Sequence, residues 1–132
     1  MRIVLDSNVI VSAFASRGVC ASLFEVLMVK EQIITSEHIL AEASRILRTK
    51  IKLPEKNTRE IIDFLRENTE VAVYDKLSHR VSRDKDDDEI IALAVSSKSK
   101  IIITGDKDLL VLKKYKNIRI LSPKEYWLLF LT

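Results

Sequence analysis

The chain has 132 residues, of which 47% are hydrophobic and 31% charged, with only two glycines and two prolines. This composition predicts one domain, residues 1–132, with a substantial core, and excludes a long flexible linker. The net charge of +3 suits a polyanionic partner and ordinary surface charge equally well. The lone Cys20 excludes an internal disulfide. No apolar run approaches the roughly 20 residues that span a bilayer, and we expect a cytoplasmic location without membrane contact.

Strand-like apolar runs alternate with helical patterns along the whole chain. We predict strands at residues 2–5, 32–35, 70–74, 100–104 and 118–121. We predict helices at residues 7–15, 19–31, 36–50, 57–68, 86–98 and 106–114, and a final helix after Ser122. Asn57 with Glu60, and Ser122 with Glu125, are typical of capping boxes, while residues 75–85 are polar and loop-like. Such alternation predicts a parallel sheet with helices on both faces.

Two acidic residues follow predicted strands. Asp6 directly follows the first strand, and Asp106 follows the fourth through Thr104 and Gly105. In parallel α/β sheets, ligands bind beyond the carboxyl ends of the strands, where the strand order reverses. Each aspartate could instead cap the helix that follows it.

Two further acids lie on predicted helices beside apolar stripes. Glu42 is three residues after Ile39 and four before Ile46, so it either joins that stripe or reaches water at its edge. Asp88 precedes apolar positions 91, 92 and 95, which predicts that it points inward, with Asp86 and Asp87 as the capping candidates. The alternative for Asp88 is an interaction with the helix dipole in an acidic first turn.

Convergence of these four acids would require a cation. Neighbouring carboxylates repel one another and resist ionisation unless a positive charge neutralises them. Oxygen ligands favour Mg²⁺ or Mn²⁺, so Asp6, Glu42, Asp88 and Asp106 predict a site for one of these ions. His38, four residues before Glu42, could add a ligand, although a surface or cap position is the ordinary interpretation.

Basic residues adjoin two of these acids. Arg80, Arg83 and Lys85 precede the predicted helix of Asp88, and Lys107 follows Asp106. Cations next to a metal site would contact RNA phosphates in a salt-dependent way. The alternative is an ordinary solvated surface.

Four segments resemble PIN-domain ribonucleases, and among these the VapC-type toxins. The segments are Ile-Val-Leu-Asp-Ser-Asn-Val at 3–9, the helix of Glu42, Arg-Asp-Lys-Asp-Asp-Asp-Glu-Ile-Ile-Ala-Leu-Ala at 83–94, and Ile-Ile-Ile-Thr-Gly-Asp-Lys-Asp-Leu at 101–109. The resemblance implies a three-layer α/β/α sandwich with a mostly parallel five-stranded sheet, ordered 3-2-1-4-5. It also implies four site residues, a metal-ligand set and two supporting residues. These are the catalytic acids Asp6, Glu42, Asp88 and Asp106, the metal ligands Asp6, Asp88, Asp106 and Asp108, and the supporting residues Asn8 and Thr104. Asp106 and Asp108 both fit the last acidic position, and Asp86 and Asp87 are similar alternatives to Asp88.

The resemblance implies a Mg²⁺- or Mn²⁺-dependent endoribonuclease, the toxin of a toxin–antitoxin pair, acting on RNA and forming a homodimer. One alternative is an RNA-processing PIN nuclease without an antitoxin. Another is a non-catalytic RNA- or protein-binding PIN module, which the complete set of acids disfavours. A phospho-acceptor receiver domain would need adjacent acids after the first strand, where Asp6 is instead followed by Ser7 and Asn8.

Overall fold

A computed structural model describes residues 1–132 and contains one twisted β-sheet surrounded by helices. The strands are β1 (Arg2–Leu5), β2 (Gln32–Thr35), β3 (Glu70–Val71), β4 (Ile101–Ile103), β5 (Lys114–Tyr115) and β6 (Ile118–Leu121). They form a six-stranded sheet in the order β3-β2-β1-β4-β6-β5. All neighbouring strands are parallel except β5 and β6. The predicted order of five parallel strands is confirmed, with β6 as the fifth.

Seven helices connect and cover the strands. They are α1 (Ser7–Ala15), α2 (Val19–Lys30), α3 (Glu37–Thr49), α4 (Glu55–Asn68), α5 (Lys85–Ser96), α6 (Lys107–Leu110) and α7 (Pro123–Phe130). Helix α1 packs against α2 and α3, α3 packs against α4, and α5 packs against β1 and β4. This arrangement confirms the predicted α/β sandwich.

The two central strands are buried on both faces. Ile3, Val4 and Leu5 of β1 have no exposed surface, and Ile101–Ile103 of β4 are at most 1% exposed. Strands covered on both sides carry continuous apolar runs instead of an alternating pattern. That is why β1 and β4 could be recognised from short runs of isoleucine, valine and leucine.

The strand order reverses between β1 and β4. Leu5 pairs with Ile103, and the Asp6 amide donates a 3.0 Å hydrogen bond to the Ile103 carbonyl, so the carboxyl ends of the two strands lie level. From β1 the chain continues to β2 on one side, whereas from β4 it continues to β6 on the other. The residues that follow β1 and β4 therefore meet at the edge where such folds bind ligands.

The capping boxes predicted at two helix starts have different outcomes in the structure. Helix α4 begins at Glu55 after Pro54, whose carbonyl accepts a 3.0 Å hydrogen bond from the Thr58 amide. The predicted capping box at residues 57 and 60 is therefore wrong, because a fixed proline φ starts the helix earlier. The box of Ser122 and Glu125 at the start of α7 is confirmed.

Shorter elements account for the remaining differences. Strand β3 ends at Val71 and α6 ends at Leu110, both earlier than predicted. Strand β5 was not predicted, and its residues Lys114 and Tyr115 pair antiparallel with β6. A two-residue strand is too short to show a periodic apolar pattern.

Candidate metal centre

Asp6 is held at the end of β1 by the start of α1. It is the N-cap of α1, and its Oδ1 accepts a 2.7 Å hydrogen bond from the Ser7 amide. The residue is only 5% exposed. The capping interpretation of Asp6 therefore holds, but it leaves Oδ2 directed at other partners.

Thr104 connects Asp6 to Asp106. Its hydroxyl donates a 2.7 Å hydrogen bond to Asp6 Oδ2 and accepts a 3.0 Å hydrogen bond from the Asp106 amide. Asn8 makes a second connection, since its Nδ2 donates to Asp6 Oδ2 at 3.2 Å and its Oδ1 accepts from the Gly105 amide at 3.0 Å. The ends of β1 and β4 are thus joined by two side chains that both reach Asp6.

Asp87 is the third acid at this position. It is 3% exposed, and carboxylate oxygens of Asp6, Asp87 and Asp106 all lie within 4.8 Å of one another. The Ser82 hydroxyl donates a 3.1 Å hydrogen bond to Asp87 Oδ2. Residues 87, 90, 91 and 94 form a buried stripe on α5, which is the same spacing that the sequence offered for residue 88.

The structure places Asp88 outside this group: its side chain is largely buried, as predicted, but it contacts the preceding loop and not the other acids. Its Oδ1 accepts from the Ser82 amide at 2.8 Å and the Val81 amide at 3.2 Å, and its Oδ2 accepts from Arg80 Nε at 3.1 Å. Helix α5 is buried around most of its circumference at residues 90–94, so apolar spacing could not distinguish Asp87 from its neighbour. Asp88 instead anchors the loop that precedes the helix.

Capping of α5 also differs from the prediction. Asp84 is the N-cap, and its Oδ1 accepts a 2.9 Å hydrogen bond from the Asp86 amide, so the helix begins at Lys85. This cap leaves the side chains of Asp86 and Asp87 free to face the cleft. No sequence signal separates Asp84 from the acids that follow it.

Glu42 lies in the same cleft but in a second group of ligand atoms. The Ser7 hydroxyl, next to Asp6, donates a short hydrogen bond to Glu42 Oε1. Ligand atoms of Glu42, His38 and Asp86 lie within 4.8 Å of one another. Of the four acids predicted to form one pocket, Asp6 and Asp106 lie in the first group, Glu42 lies in the second, and Asp88 belongs to neither.

Burial and mutual repulsion raise the pKa values of two of these carboxyls. Burial raises the pKa of Asp6, while the Thr104 hydrogen bond opposes this and the charges of Glu42 and Asp106 add to it. For Asp87, burial and then the hydrogen bond and charge of Asp106 raise the pKa to about 8. In both cases burial is the largest cause, and the negative charge of neighbouring carboxylates adds to it.

The residues around the cleft fit a hard divalent cation. Six carboxylates line it and no lysine or arginine does. The lining residues are Asp6, Ser7, Asn8, His38, Ile39, Glu42, Asp84, Asp86, Asp87, Ile90 and Asp106. Carboxylate oxygens, with water completing the shell, are the ligands of Mg²⁺ and Mn²⁺ in proteins. A divalent ion at Asp6, Asp87 and Asp106 would compensate the repulsion among these three carboxylates.

Comparison with known proteins decides the family. The family profile of the PIN domain matches residues 2–108. The chain belongs to the PIN domain family. An uncharacterized protein of Methanocaldococcus jannaschii is 34% identical over 140 residues, covering 96% of this chain and 89% of that protein.

Solved structures share the fold of this PIN domain. VapBC-1 from nontypeable Haemophilus influenzae matches with a TM-score of 0.66 and 16% identity, over 94% of this chain and 99% of that one. VapBC2 from Rickettsia felis, bound to a DNA fragment from its promoter, matches with a TM-score of 0.63 and 14% identity, over 91% of this chain and 97% of that one. VapC20 from Mycobacterium tuberculosis, a toxin that cleaves the sarcin–ricin loop, matches with a TM-score of 0.60 and 13% identity, over 89% of this chain and 98% of that one.

Asp106 and Asp108 have different environments in this PIN domain. Asp106 lines the cleft and caps α6, accepting a 2.9 Å hydrogen bond from the Asp108 amide. The Asp108 carboxylate accepts a 2.7 Å hydrogen bond from Arg83 Nη2 and does not line the cleft. The structure therefore brings Asp106, and not Asp108, to the other acids.

The four basic residues predicted to contact phosphate divide in a similar way. Arg80 is tied into its own loop by Asp88 and by the Ser82 and Arg83 carbonyls. Arg83 pairs with Asp108, although its side chain is 86% exposed. Lys85 and Lys107 are exposed at the first positions of α5 and α6, and neither forms an ion pair.

None of the seven helices of this PIN domain has by itself the length and apolar composition needed to cross a membrane. Helices α1 and α2 reach that length only together, and their axes are bent by 106° at the break between them.

Proposed function

We propose that this PIN domain is a Mg²⁺- or Mn²⁺-dependent endoribonuclease that leaves 3′-hydroxyl and 5′-phosphate ends. The observation that carries the proposal is the convergence of Asp6, Asp87 and Asp106 in a cleft that no lysine or arginine lines. Membership of the PIN domain family supports it. The fold shared with VapC20, described as a toxin that cleaves the sarcin–ricin loop, supports RNA as the substrate.

The residues of the cleft have distinct roles in this proposal. Asp6, Asp87 and Asp106 hold the cation, while Thr104 and Asn8 fix the direction of the Asp6 carboxylate. Burial and Asp106 raise the pKa of Asp87 to about 8, so a cation held there would have to displace the proton of this carboxyl. A divalent ion bound there activates water and neutralises charge on the leaving oxygen of a phosphodiester.

Substitution of Asp6 tests the nuclease. Asp6→Asn keeps an oxygen that can cap α1 but removes a charge, so we expect Mn²⁺-dependent RNA cleavage to fall by at least about 100-fold. Asp63→Asn is the matched control, because Asp63 is exposed on α4 and does not line the cleft. Cleavage by the Asp6 variant at the wild-type rate, or cleavage that persists in a chelator, would show that the activity comes from elsewhere.

We also propose that the chain is the toxin of a toxin–antitoxin pair. Two of the structural neighbours are VapBC complexes, which supports a protein partner of the antitoxin kind. Induced expression should arrest growth, and the Asp6→Asn variant should not. Co-expression of a small DNA-binding protein encoded by the neighbouring gene should relieve the growth arrest. Normal growth during expression of active nuclease would favour an RNA-processing role instead.

We further propose that residues 1–132 act as one domain, since all six strands join one sheet over one core. We also propose that the chain forms a homodimer and that it acts in the cytoplasm. Light scattering of the purified chain measures the oligomeric state, and a monomeric mass at micromolar concentration would exclude a stable dimer.

A further inference from the structure

Helix α3 presents two metal-binding side chains to the cleft, one turn apart. His38 and Glu42 are at positions i and i+4, which lie on one face of a helix. Asp86, in the first turn of α5, approaches them from the opposite side of the cleft. One ligand atom from each of the three residues lies within 4.8 Å of the other two.

The imidazole of His38 has a buried nitrogen without a partner. Nε2 is inaccessible to solvent and makes no hydrogen bond, although the rest of the side chain is partly exposed. A buried polar atom left unpaired costs about 1–3 kcal/mol. The groups of the cleft that approach His38 are the carboxylates of Asp86 and Glu42, and a cation between them and the imidazole would satisfy both kinds of ligand.

The distance from this nitrogen to Asp86 favours a shared ion over a direct hydrogen bond. His38 Nε2 and Asp86 Oδ1 are 3.4 Å apart, and their geometry does not meet the criteria of a hydrogen bond. Two ligands held 2.0–2.1 Å from one tetrahedral ion are roughly 3.3 Å apart. The observed separation therefore leaves the space that such an ion needs.

This position is distinct from the group formed by Asp6, Asp87 and Asp106. The two groups have no residue in common, although Asp86 and Asp87 are consecutive. The Ser7 hydroxyl spans the boundary between them, donating to Glu42 from the residue next to Asp6. Two cations could therefore bind side by side in the one cleft.

We propose that His38, Glu42 and Asp86 form a second binding position that takes a transition-metal ion of the Zn²⁺ class and rejects Mg²⁺. Imidazole nitrogen is a good ligand for zinc and other later transition metals, whereas Mg²⁺ prefers oxygen ligands and water. The proposal rests on the proposed function for the neighbouring cation, because excess Mg²⁺ is expected to fill the all-oxygen group and leave this position open. The nitrogen of His38 is what distinguishes the two positions.

Nuclear magnetic resonance of the imidazole nitrogens provides a direct test. The chain has two histidines, so His79, exposed in the loop before α5, serves as the internal control in the same spectrum. We expect the Nε2 resonance of His38 to shift on titration with Zn²⁺ in excess Mg²⁺ near neutral pH, and the His79 resonances to stay in place. Mg²⁺ alone should not move the His38 signal.

Calorimetry of variants completes the test. His38→Gln should weaken Zn²⁺ binding in excess Mg²⁺ by at least about tenfold, and His79→Gln should not change it. Asp86→Asn, at an exposed position, gives an independent loss of one ligand. A His38 resonance that stays in place while Zn²⁺ binds, or equal shifts at both histidines, would overturn the proposal.

Failure of this inference can be told apart from failure of the proposed function. If the His38 signal does not respond but Asp6→Asn abolishes RNA cleavage, the nuclease stands and the zinc position is wrong. If His38 responds to Zn²⁺ in a chain that cleaves no RNA, the zinc position is supported and the nuclease is wrong.

Discussion

The Thr104 hydroxyl donates a 2.7 Å hydrogen bond to Asp6 Oδ2 across the ends of the two central strands. The same hydroxyl accepts from the Asp106 amide, so one oxygen sets the relative position of two acids that are far apart in sequence. Thr104 has no exposed surface, which means that water cannot replace its hydroxyl without a rearrangement. We therefore regard Thr104 as a positioning residue of the cleft.

Replacement of Thr104 by valine should destabilise the protein and weaken its metal binding. Thr104→Val keeps the shape but removes the donor to a buried carboxylate, which costs about 1–3 kcal/mol of unfolding free energy. The pKa of Asp6 should rise further, because the Thr104 hydrogen bond lowers it. Urea denaturation measures the stability, and Mn²⁺ calorimetry measures the affinity.

Thr35 provides the matched control for that substitution. It also lies at the carboxyl end of a strand and is 1% exposed, but its hydroxyl has no hydrogen-bond partner. Thr35→Val should therefore leave the unfolding free energy unchanged or raise it. Equal losses from the two substitutions would mean that the Thr104 hydrogen bond contributes nothing specific.

Asparagine substitutions at positions 87 and 88 should have opposite effects. Asp87→Asn removes a repelled carboxyl, so the metal-free protein should gain stability at about pH 8 while Mn²⁺ binding and cleavage are lost. Asp88→Asn weakens the anchoring of Arg80 and the loop amides, so it should cost about 1 kcal/mol with Mn²⁺ affinity retained within a few-fold. Loss of metal binding in the Asp88 variant alone would assign the ligand to that residue.

The metal-free protein should lose stability as the pH rises. The folded state keeps a proton on Asp87 up to about pH 8, whereas the unfolded chain releases it near the usual value of 3.8. The folded state therefore binds more protons between these values, and its stability falls across that interval. We expect the melting temperature of the wild type to fall by roughly 5 °C more than that of Asp87→Asn between about pH 5 and pH 8.

Addition of Mn²⁺ at the upper end of this range supplies the complementary measurement. An ion that binds only the folded state raises the melting temperature by mass action. This rise in melting temperature should be large in the wild type and absent in Asp87→Asn. A melting temperature that rises with pH in the absence of metal would contradict the protonation of Asp87.

The two unpaired lysines next to the cleft should contribute to RNA affinity through their charge. Lys85→Ala combined with Lys107→Ala should weaken RNA binding and make the slope of affinity against salt less steep by about 1–1.5, as expected for two lost contacts to single-stranded phosphate. Lys56→Ala is the control, because Lys56 lies on α4, which contributes no residue to the cleft. Fluorescence titrations at several salt concentrations give the slopes, and an unchanged slope would place the RNA elsewhere.

Acids at strand ends could be predicted from the sequence because the chain there has little freedom. A buried apolar run followed by aspartate identifies both the end of the strand and the edge where ligands bind, as at Asp6 and Asp106. That Asp87, and not Asp88, faces the cleft could not be predicted in the same way. Helix α5 has buried residues at every position from Ile90 to Ala94, so both acids have apolar residues at suitable spacing.

The contact between α3 and α5 also could not be predicted from the sequence. The helical spacing of His38 and Glu42 was visible, but the approach of Asp86 depends on where α5 begins and how it packs. The four aspartates at positions 84 and 86–88 offered no local signal for which one caps the helix. Only the tertiary structure shows that Asp84 caps the helix, that Asp86 and Asp87 offer ligand atoms, and that Asp88 anchors the loop.

Both edges of the sheet end in strands of only two residues, β3 and β5. An exposed edge strand is a template on which another chain can add through backbone hydrogen bonds, and its length limits how many such bonds can form. Neither edge of this sheet offers a template long enough for strand exchange between molecules. The two short edge strands therefore limit how many backbone hydrogen bonds this sheet can make with a strand of another molecule.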